Sequence, residues 1–250
     1  MIAIFPDLEA LSAAAAQLVV DAARESISRT GRFSIALSGG STPRRLFDLL
    51  AGPPWAGEIS WADVHVFWAD ERCVPPDDER SNEHLARVRL LNHVPVPPSQ
   101  IHPIRCAGNP MAAAARYDAE LRRETGRDGR LDLILLGLGD DGHTASLFPG
   151  TAVVGEASRW AAEVWLADQQ MFRVTMTAPF INQAARVAFL VTGAAKAPIV
   201  RDVIYGRADP ERRPAQLVQP SGGELRWLLD REAARLVAPA DGRQDRERTS

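Results

Sequence analysis

The sequence predicts an α/β fold: a doubly wound, mostly parallel sheet sandwiched by helices, Rossmann-like in its layering. Two observations predict it. Residues 33–37 (FSIAL), 64–69 (VHVFWA), 131–137 (LDLILLG) and 187–193 (VAFLVTG) are apolar runs with the length of buried strands, and stretches of helical spacing separate them. Strands that alternate with helices need crossover connections, and these give parallel strands covered on both faces.

Taken in order, residues 7–29 are alanine-rich with apolar positions at helical spacing, which predicts an amphipathic first helix. FSIAL follows as a strand, then a helix over 43–51, the VHVFWA strand, and helices over 81–91 and 110–125. LDLILLG and VAFLVTG are the next two strands, with a helix over 197–204 after the second. EVWLADQQMFRVTMTAP, residues 163–179, holds two further strands parted near Asp168 to Gln170, a possible antiparallel addition. No repeat of solenoid period is visible. Residues 1–238 are expected to form one α/β domain, and residues 239–250, charged and almost without apolar side chains, a disordered polar tail.

The composition narrows the function classes. With 250 residues, 24% of them charged, and a formal net charge of −3, the chain has no basic footprint for nucleic acid or an anionic membrane. No apolar run reaches the roughly 18 residues of a membrane span. The first residues lack a basic n-region, so the expected location is the cytoplasm. Cys73 and Cys106 have no C-x-x-C neighbour, so neither a disulfide framework nor a zinc cage is indicated, and a reducing compartment suits them. His65, His84, His93 and His102 are scattered, with no H-E-x-x-H, which disfavours a catalytic metal. There is no G-x-S-x-G elbow for a serine nucleophile. A monomer is the expected oligomeric state.

Four segments place unusual residues just after predicted strands, at the edge where ligands of open α/β sheets sit. SGGSTP follows the first: Gly39 and Gly40 allow close backbone approach, Thr42 is a good N-cap and Pro43 suits the first helical turn, so Ser41 and its neighbours would offer free N–H groups to an anion. Capping alone would call for the same residues. Asp70, Glu71 and Arg72 follow the second strand; they are either surface ion pairs or, through Arg72, a fork for phosphate. TGAAK follows the strand at 187–193 and ends in Lys196, the single lysine of a chain with 28 arginines.

GLGDDGHTAS, residues 137–146, fits G-x-G-x-x-G through Gly137, Gly139 and Gly142. A dinucleotide site fits it poorly. Asp140 and Asp141 would oppose a pyrophosphate, and Pro149 with Gly150 stops any helix soon after it starts. His143, expected at the head of a short helix beside Asp141, has the makings of a general base oriented by a carboxylate; helix capping or a satisfied core histidine is the plainer reading. Together, an anion-binding turn, an arginine, a lysine and a candidate base on one sheet edge indicate a small phosphorylated metabolite and proton-transfer chemistry.

The blocks ALSGGSTPRRLFDLLA, FWADERCVPPDDERSNEHLAR, LDLILLGLGDDGHTASLFPG, VTGAAKAPIVRDV and PAQLVQPSGGELRWLLDREAA, spread over most of residues 33–234, resemble the 6-phosphogluconolactonase family. The family shares its fold with glucosamine-6-phosphate deaminases and, more distantly, with ribose-5-phosphate isomerases and sugar-sensing regulatory domains. Deaminases have a glutamate just before the proline and an aromatic residue after D-E, where this chain has Phe148 and Arg72. Regulatory domains of this kind usually carry a helix-turn-helix, for which the segment before FSIAL leaves little room.

The resemblance implies hydrolysis of 6-phosphoglucono-1,5-lactone in the oxidative pentose phosphate pathway, with no cofactor, metal or covalent intermediate. It implies His143 as general base, Asp141 orienting it or meeting substrate hydroxyls, and Arg72 and Lys196 holding the 6-phosphate with the amides of Gly39, Gly40, Ser41 and Thr42. Asp70, Ser81 and Asn82 would shape the sugar site, and amides from Gly139 to Gly142 are the candidate oxyanion donors. The segment 73–80, rich in proline and charge, is expected to be exposed and adaptable.

Overall fold

The computed structural model describes residues 1–106, 108–126 and 129–237; the expected polar tail, 239–250, lies outside them. The first strand, β1 (Ile2–Phe5), leads into helix α1 (Leu8–Thr30), which Asp7 caps by accepting from the Ala10 amide at 2.9 Å. Gly31 ends α1 in the left-handed region, φ 76°, where a β-carbon would be strained. Strand β2 (Phe33–Leu37), helix α2 (Ser41–Leu50), strand β3 (Val64–Trp68) and the short β4 (Asp70–Arg72) follow. Next come α3 (Asn82–Ala86), which runs on into a wide turn through Leu91, α4 (Pro110–Thr125) and β5 (Leu133–Leu136). Strands β6 (Ala161–Leu166) and β7 (Met171–Met176), α5 (Ala178–Ile181), β8 (Arg186–Val191), α6 (Ala197–Ile204) and β9 (Glu224–Asp230) complete the order.

Six strands form one all-parallel sheet in the order β1-β9-β8-β5-β2-β3. Every residue of β2 and β5 is buried, as strands covered on both faces are, and the one polar residue among them, Ser34 of β2, is hydrogen-bonded to Asp132. From β2 the chain steps outward to β3, then returns to place β5 on the other side of β2. This reversal is the topological switch point, and the loops after β2 and β5 diverge there. The expected antiparallel addition is a separate three-stranded sheet, β4-β7-β6. Ala69 joins the two sheets, its amide bonded to Leu37 O at 2.8 Å and its carbonyl to Met176 N at 2.7 Å. The buried Tyr117 hydroxyl of α4 donates to Trp68 O at 2.8 Å and accepts from Trp68 N at 3.0 Å, fixing the end of β3. No helix among the described residues is long and apolar enough to cross a membrane.

Several sequence expectations need correction. Strands β1 and β9 are additional to those read from apolar runs. Cys73 and Cys106, which carry no disulfide signal in sequence, form a disulfide with Cα atoms 5.0 Å apart. They are 33 positions apart, and the fold brings the end of β4 against the segment before α4. Helix α2 begins at Ser41, not Pro43, because Gly40 takes the cap position at φ 109°, a conformation that suits glycine, and no side chain caps the helix. His65 and His102 also meet: His65 Nδ1 lies 3.1 Å from His102 Nε2, and His102 Nδ1 lies 3.0 Å from Glu120 Oε1. Glu124 completes a cluster in which one candidate ligand atom from each of His65, His102 and Glu124 lies within 4.8 Å of the others. The two imidazole planes differ by 6° with centroids 5.4 Å apart, so the nitrogens meet edge to edge along one line. That geometry suits a shared proton rather than lone pairs converging on an ion.

Candidate active site

At the switch point, the loop after β5 carries the most chemistry. It forms no helix, contrary to expectation. Gly139 N donates to His143 O at 2.8 Å, Gly142 N to Gly139 O at 3.1 Å, and Thr144 Oγ1 to Gly137 O at 2.9 Å. The amides of Gly139 and Gly142, expected to face substrate, are therefore spent inside the loop. Gly139 has a different importance: a β-carbon there would stand 2.0 Å from His143 Nδ1.

That closeness seats the imidazole. His143 Nδ1 lies 2.6 Å from Asp141 Oδ1, which also accepts the His143 amide at 3.0 Å. A carboxylate accepting at Nδ1 leaves Nε2 with its lone pair. The Phe148 ring stacks on the imidazole with centroids 3.9 Å apart. Burial alone would raise the Asp141 carboxyl, but the hydrogen bonds from the His143 side chain and amide, with the His143 charge, hold it below its ordinary value. Asp141 is thus an anion available to balance an imidazolium.

Two bonds carry the neighbouring loops to this one. Lys196 Nζ meets Asp140 Oδ1 at 2.7 Å, and Thr42 Oγ1 meets Thr192 Oγ1 at 2.9 Å, joining the start of α2 to the loop after β8. The turn at Gly39 to Thr42, the Lys196 loop and the His143 loop therefore form one continuous edge. The amides in the first turn of α2 present a helix N-terminus there. Gly39 fits closely: a β-carbon at that position would lie 1.8 Å from Asn82 Oδ1.

Asp70, Ser81 and Asn82 are buried, and most of their polar atoms are engaged; Asn82 Oδ1 makes no hydrogen bond among the described residues and faces Gly39. Asp70 accepts Ser146 Oγ at 2.6 Å and Asn82 Nδ2 at 3.0 Å, while Ser81 caps α3 and donates to Glu71 Oε2 at 2.9 Å. These bonds hold the frame behind the site and leave Asn82 Oδ1 as an acceptor not spent in it. Glu71, which the sequence offers only as part of an ion pair, accepts from the amides of Arg72, Asn82 and Glu83 as well. Burial pushes its carboxyl up, and those donors only partly oppose the rise.

Arg72 ends β4, at the head of the 73–80 segment. Its Nη1 donates to Arg80 O at 2.6 Å, closing the 73–80 segment, and its Nε is buried without a partner. Beside it lies a residue the sequence did not single out. Arg173 lies opposite Arg72 in the β4-β7 register, and its guanidinium lies 5.2 Å from the Phe148 ring centroid and 3.6 Å from Asp70 Oδ2. Its own Nε is also buried and unpartnered. The strand alternation around it looks structural in sequence, so only the fold reveals a second guanidinium here. Beside Arg72, a cavity of about 330 Å³ is lined by Cys73, Val74, Pro75, Arg105 and Cys106 among others.

An open-sheet edge with a helix N-terminus, a lysine, the part-buried Arg72 and buried Arg173, and a carboxylate-oriented imidazole is the kind of site that suits a small phosphorylated metabolite. Residues 6–227 match the family described as glucosamine-6-phosphate isomerases/6-phosphogluconolactonase, and the chain belongs to that family. A 6-phosphogluconolactonase of Nostoc is 42% identical over 235 residues, covering 92% of this chain and 95% of its own. That of Haemophilus influenzae is 38% identical, covering 81% and 87%. A solved 6-phosphogluconolactonase from Trypanosoma cruzi superposes with a TM-score of 0.84 at 27% identity, covering 95% of this chain and 97% of its own. A monomeric glucosamine-6-phosphate deaminase, 24% identical with a TM-score of 0.82, shares the fold.

Proposed function

We propose that the protein hydrolyses 6-phospho-D-glucono-1,5-lactone to 6-phospho-D-gluconate in the cytoplasm, in the oxidative pentose phosphate pathway. The observation that carries this reading is the 2.6 Å contact between His143 Nδ1 and Asp141, which leaves Nε2 to take a proton from water. The hydroxide so formed attacks the lactone C1 carbonyl, and Asp141 balances the imidazolium. Collapse of the tetrahedral adduct breaks the bond from C1 to the ring oxygen, and the imidazolium returns its proton to that oxygen. The ester is already activated, so no covalent enzyme intermediate is required. A placed base of this kind contributes on the order of 10² to 10⁴ in rate. Lys196, with the amides from Gly40 to Thr42, would hold the 6-phosphate; Arg72 and Arg173 supply cationic groups with unspent donors on the other wall.

Phe148 supports the lactonase reading over deamination, because an aromatic ring rather than a carboxylate covers the imidazole. The test generates the lactone in place with glucose-6-phosphate dehydrogenase and follows 6-phosphogluconate formation above the spontaneous rate, with chelator present. Acceleration that survives chelation is expected. Absence of acceleration, or ammonia release from glucosamine-6-phosphate, would overturn the proposal.

A further inference from the structure

We propose that Cys73 and Cys106 form a reversible thiol–disulfide site that sets the order of the Arg72 loop. The pair has a position that bears on the active site. Cys73 directly follows Arg72, and its amide makes the next bond of the β4 edge, to Phe172 O at 2.9 Å. Beyond it the chain runs through two prolines to Arg80, whose carbonyl accepts the Arg72 guanidinium at 2.6 Å. The disulfide fastens the first residue of this segment, and Glu71 fastens its far end through Ser81 and Asn82. Cys106 follows Arg105, which pairs with Glu83 of α3 at 2.8 Å, so the bridge joins two walls that already meet around α3.

Access favours exchange. Both cysteines are only partly buried, and both line the cavity of about 330 Å³ beside Arg72, which gives a thiolate an approach. The chain has no third cysteine, so the site has two states, with no internal reshuffling. A bridge in a reducing compartment is transient, catalytic or redox-sensing in most mesophilic proteins.

The exchange needs an external dithiol as reductant. One of its thiolates attacks a sulfur of the pair, giving a mixed disulfide and releasing the other cysteine as a thiolate; its second thiol then displaces the remaining cysteine. Two electrons and two protons pass to the protein, and the reagent leaves as a disulfide. A disulfide oxidant reverses each step. With the bridge open, Cys73 is held by its backbone alone, and substrate binding must order the segment that positions Arg72. The effect therefore falls on KM rather than kcat.

The activity readout rests on the proposed lactonase function; the chemical readouts do not. The full chain would be equilibrated with dithiothreitol in its reduced or oxidised form, alkylated, weighed by mass spectrometry, and assayed. Trypsin would be used in parallel to time cleavage after Arg80. The expected result is two alkyl groups per chain only after reduction, faster cleavage after Arg80, and a several-fold rise in KM with kcat nearly unchanged. Cys73→Ser and Cys106→Ser should each show the reduced protein's KM and cleavage rate whatever the buffer. Two alkylations in both buffers would overturn the proposal, as would cleavage and KM that ignore the redox state. If the chain lacks lactonase activity altogether, the lactonase reading fails while alkylation and cleavage still decide this one.

Discussion

A single hydrogen atom at position 139 governs the candidate base. His143 Nδ1 occupies the space where a side chain on residue 139 would begin, and the Asp141 hydrogen bond and the Phe148 ring fix it there. Gly139→Ala is therefore expected to displace the imidazole and lower kcat nearly as far as His143→Ala does, on the order of 10² to 10⁴ for a lost base. KM should change little in both variants, because the phosphate would be held elsewhere. Steady-state kinetics check this, and a Gly139→Ala enzyme with wild-type kcat would remove the imidazole from the reaction. The sequence singles out His143, Asp141 and Lys196 because their types are rare or suggestive at a strand end, and the fold brings the loops that carry them together. Sequence does not show that Asp70 and Ser81 spend their side-chain atoms on Ser146, Asn82, Glu71 and the α3 cap. It passed over Arg173 because an arginine in an alternating strand looks like a surface residue, although this one is buried.

Elements were legible in proportion to how local their signal is. Strand β5 is an unbroken apolar run, and β2, β3 and β8 are apolar but for Ser34, His65 and the leading Arg186, so all four stand out by composition. Strand β1 is four residues at the sheet edge with Ile4 exposed, and it exists by pairing with β9 across more than two hundred residues. Strand β9 starts with the exposed Glu224 and turns buried only at Trp227, so its first half looks like loop. The switch point between β2 and β5 makes the buried β5 the element whose packing the site depends on. Leu135→Ala, at a fully buried β5 position, should cost about 2–5 kcal/mol by removing packed methylenes and leaving a cavity. Denaturant unfolding measures this. A cost below about 1 kcal/mol would mean that the strand's neighbours collapse freely into the gap, which a close-packed central strand does not allow.

For the whole molecule, protonation of one partly buried imidazole couples pH to folding. His65 lies at the start of β3, the end of the strand away from the candidate site, facing His102, with Gln100 Nε2 3.3 Å from its Nε2. Burial, then the charges of Arg32 and His102, push its pKa down to about 4, and Glu124 opposes them weakly. A histidine in the unfolded chain titrates near 6.5, so below about that pH the unfolded state takes up a proton that the folded state refuses. Stability is then fully present above pH 6.5 and declines as pH falls towards 4. The depressed carboxylates act in a lower window: Asp78 and Glu156, each near 2, support the fold above their ordinary values and lose that support only as pH falls towards 2. Glu71, raised by burial, has the opposite sign and favours the fold as it gains its proton. Substitution separates these contributions. His65→Asn should flatten the fall in urea midpoint between pH 7.5 and 5 while leaving the steeper fall below pH 4 in place. An unchanged slope in the variant would assign the upper window to another group and leave the edge-to-edge histidine pair a purely geometric feature of the fold.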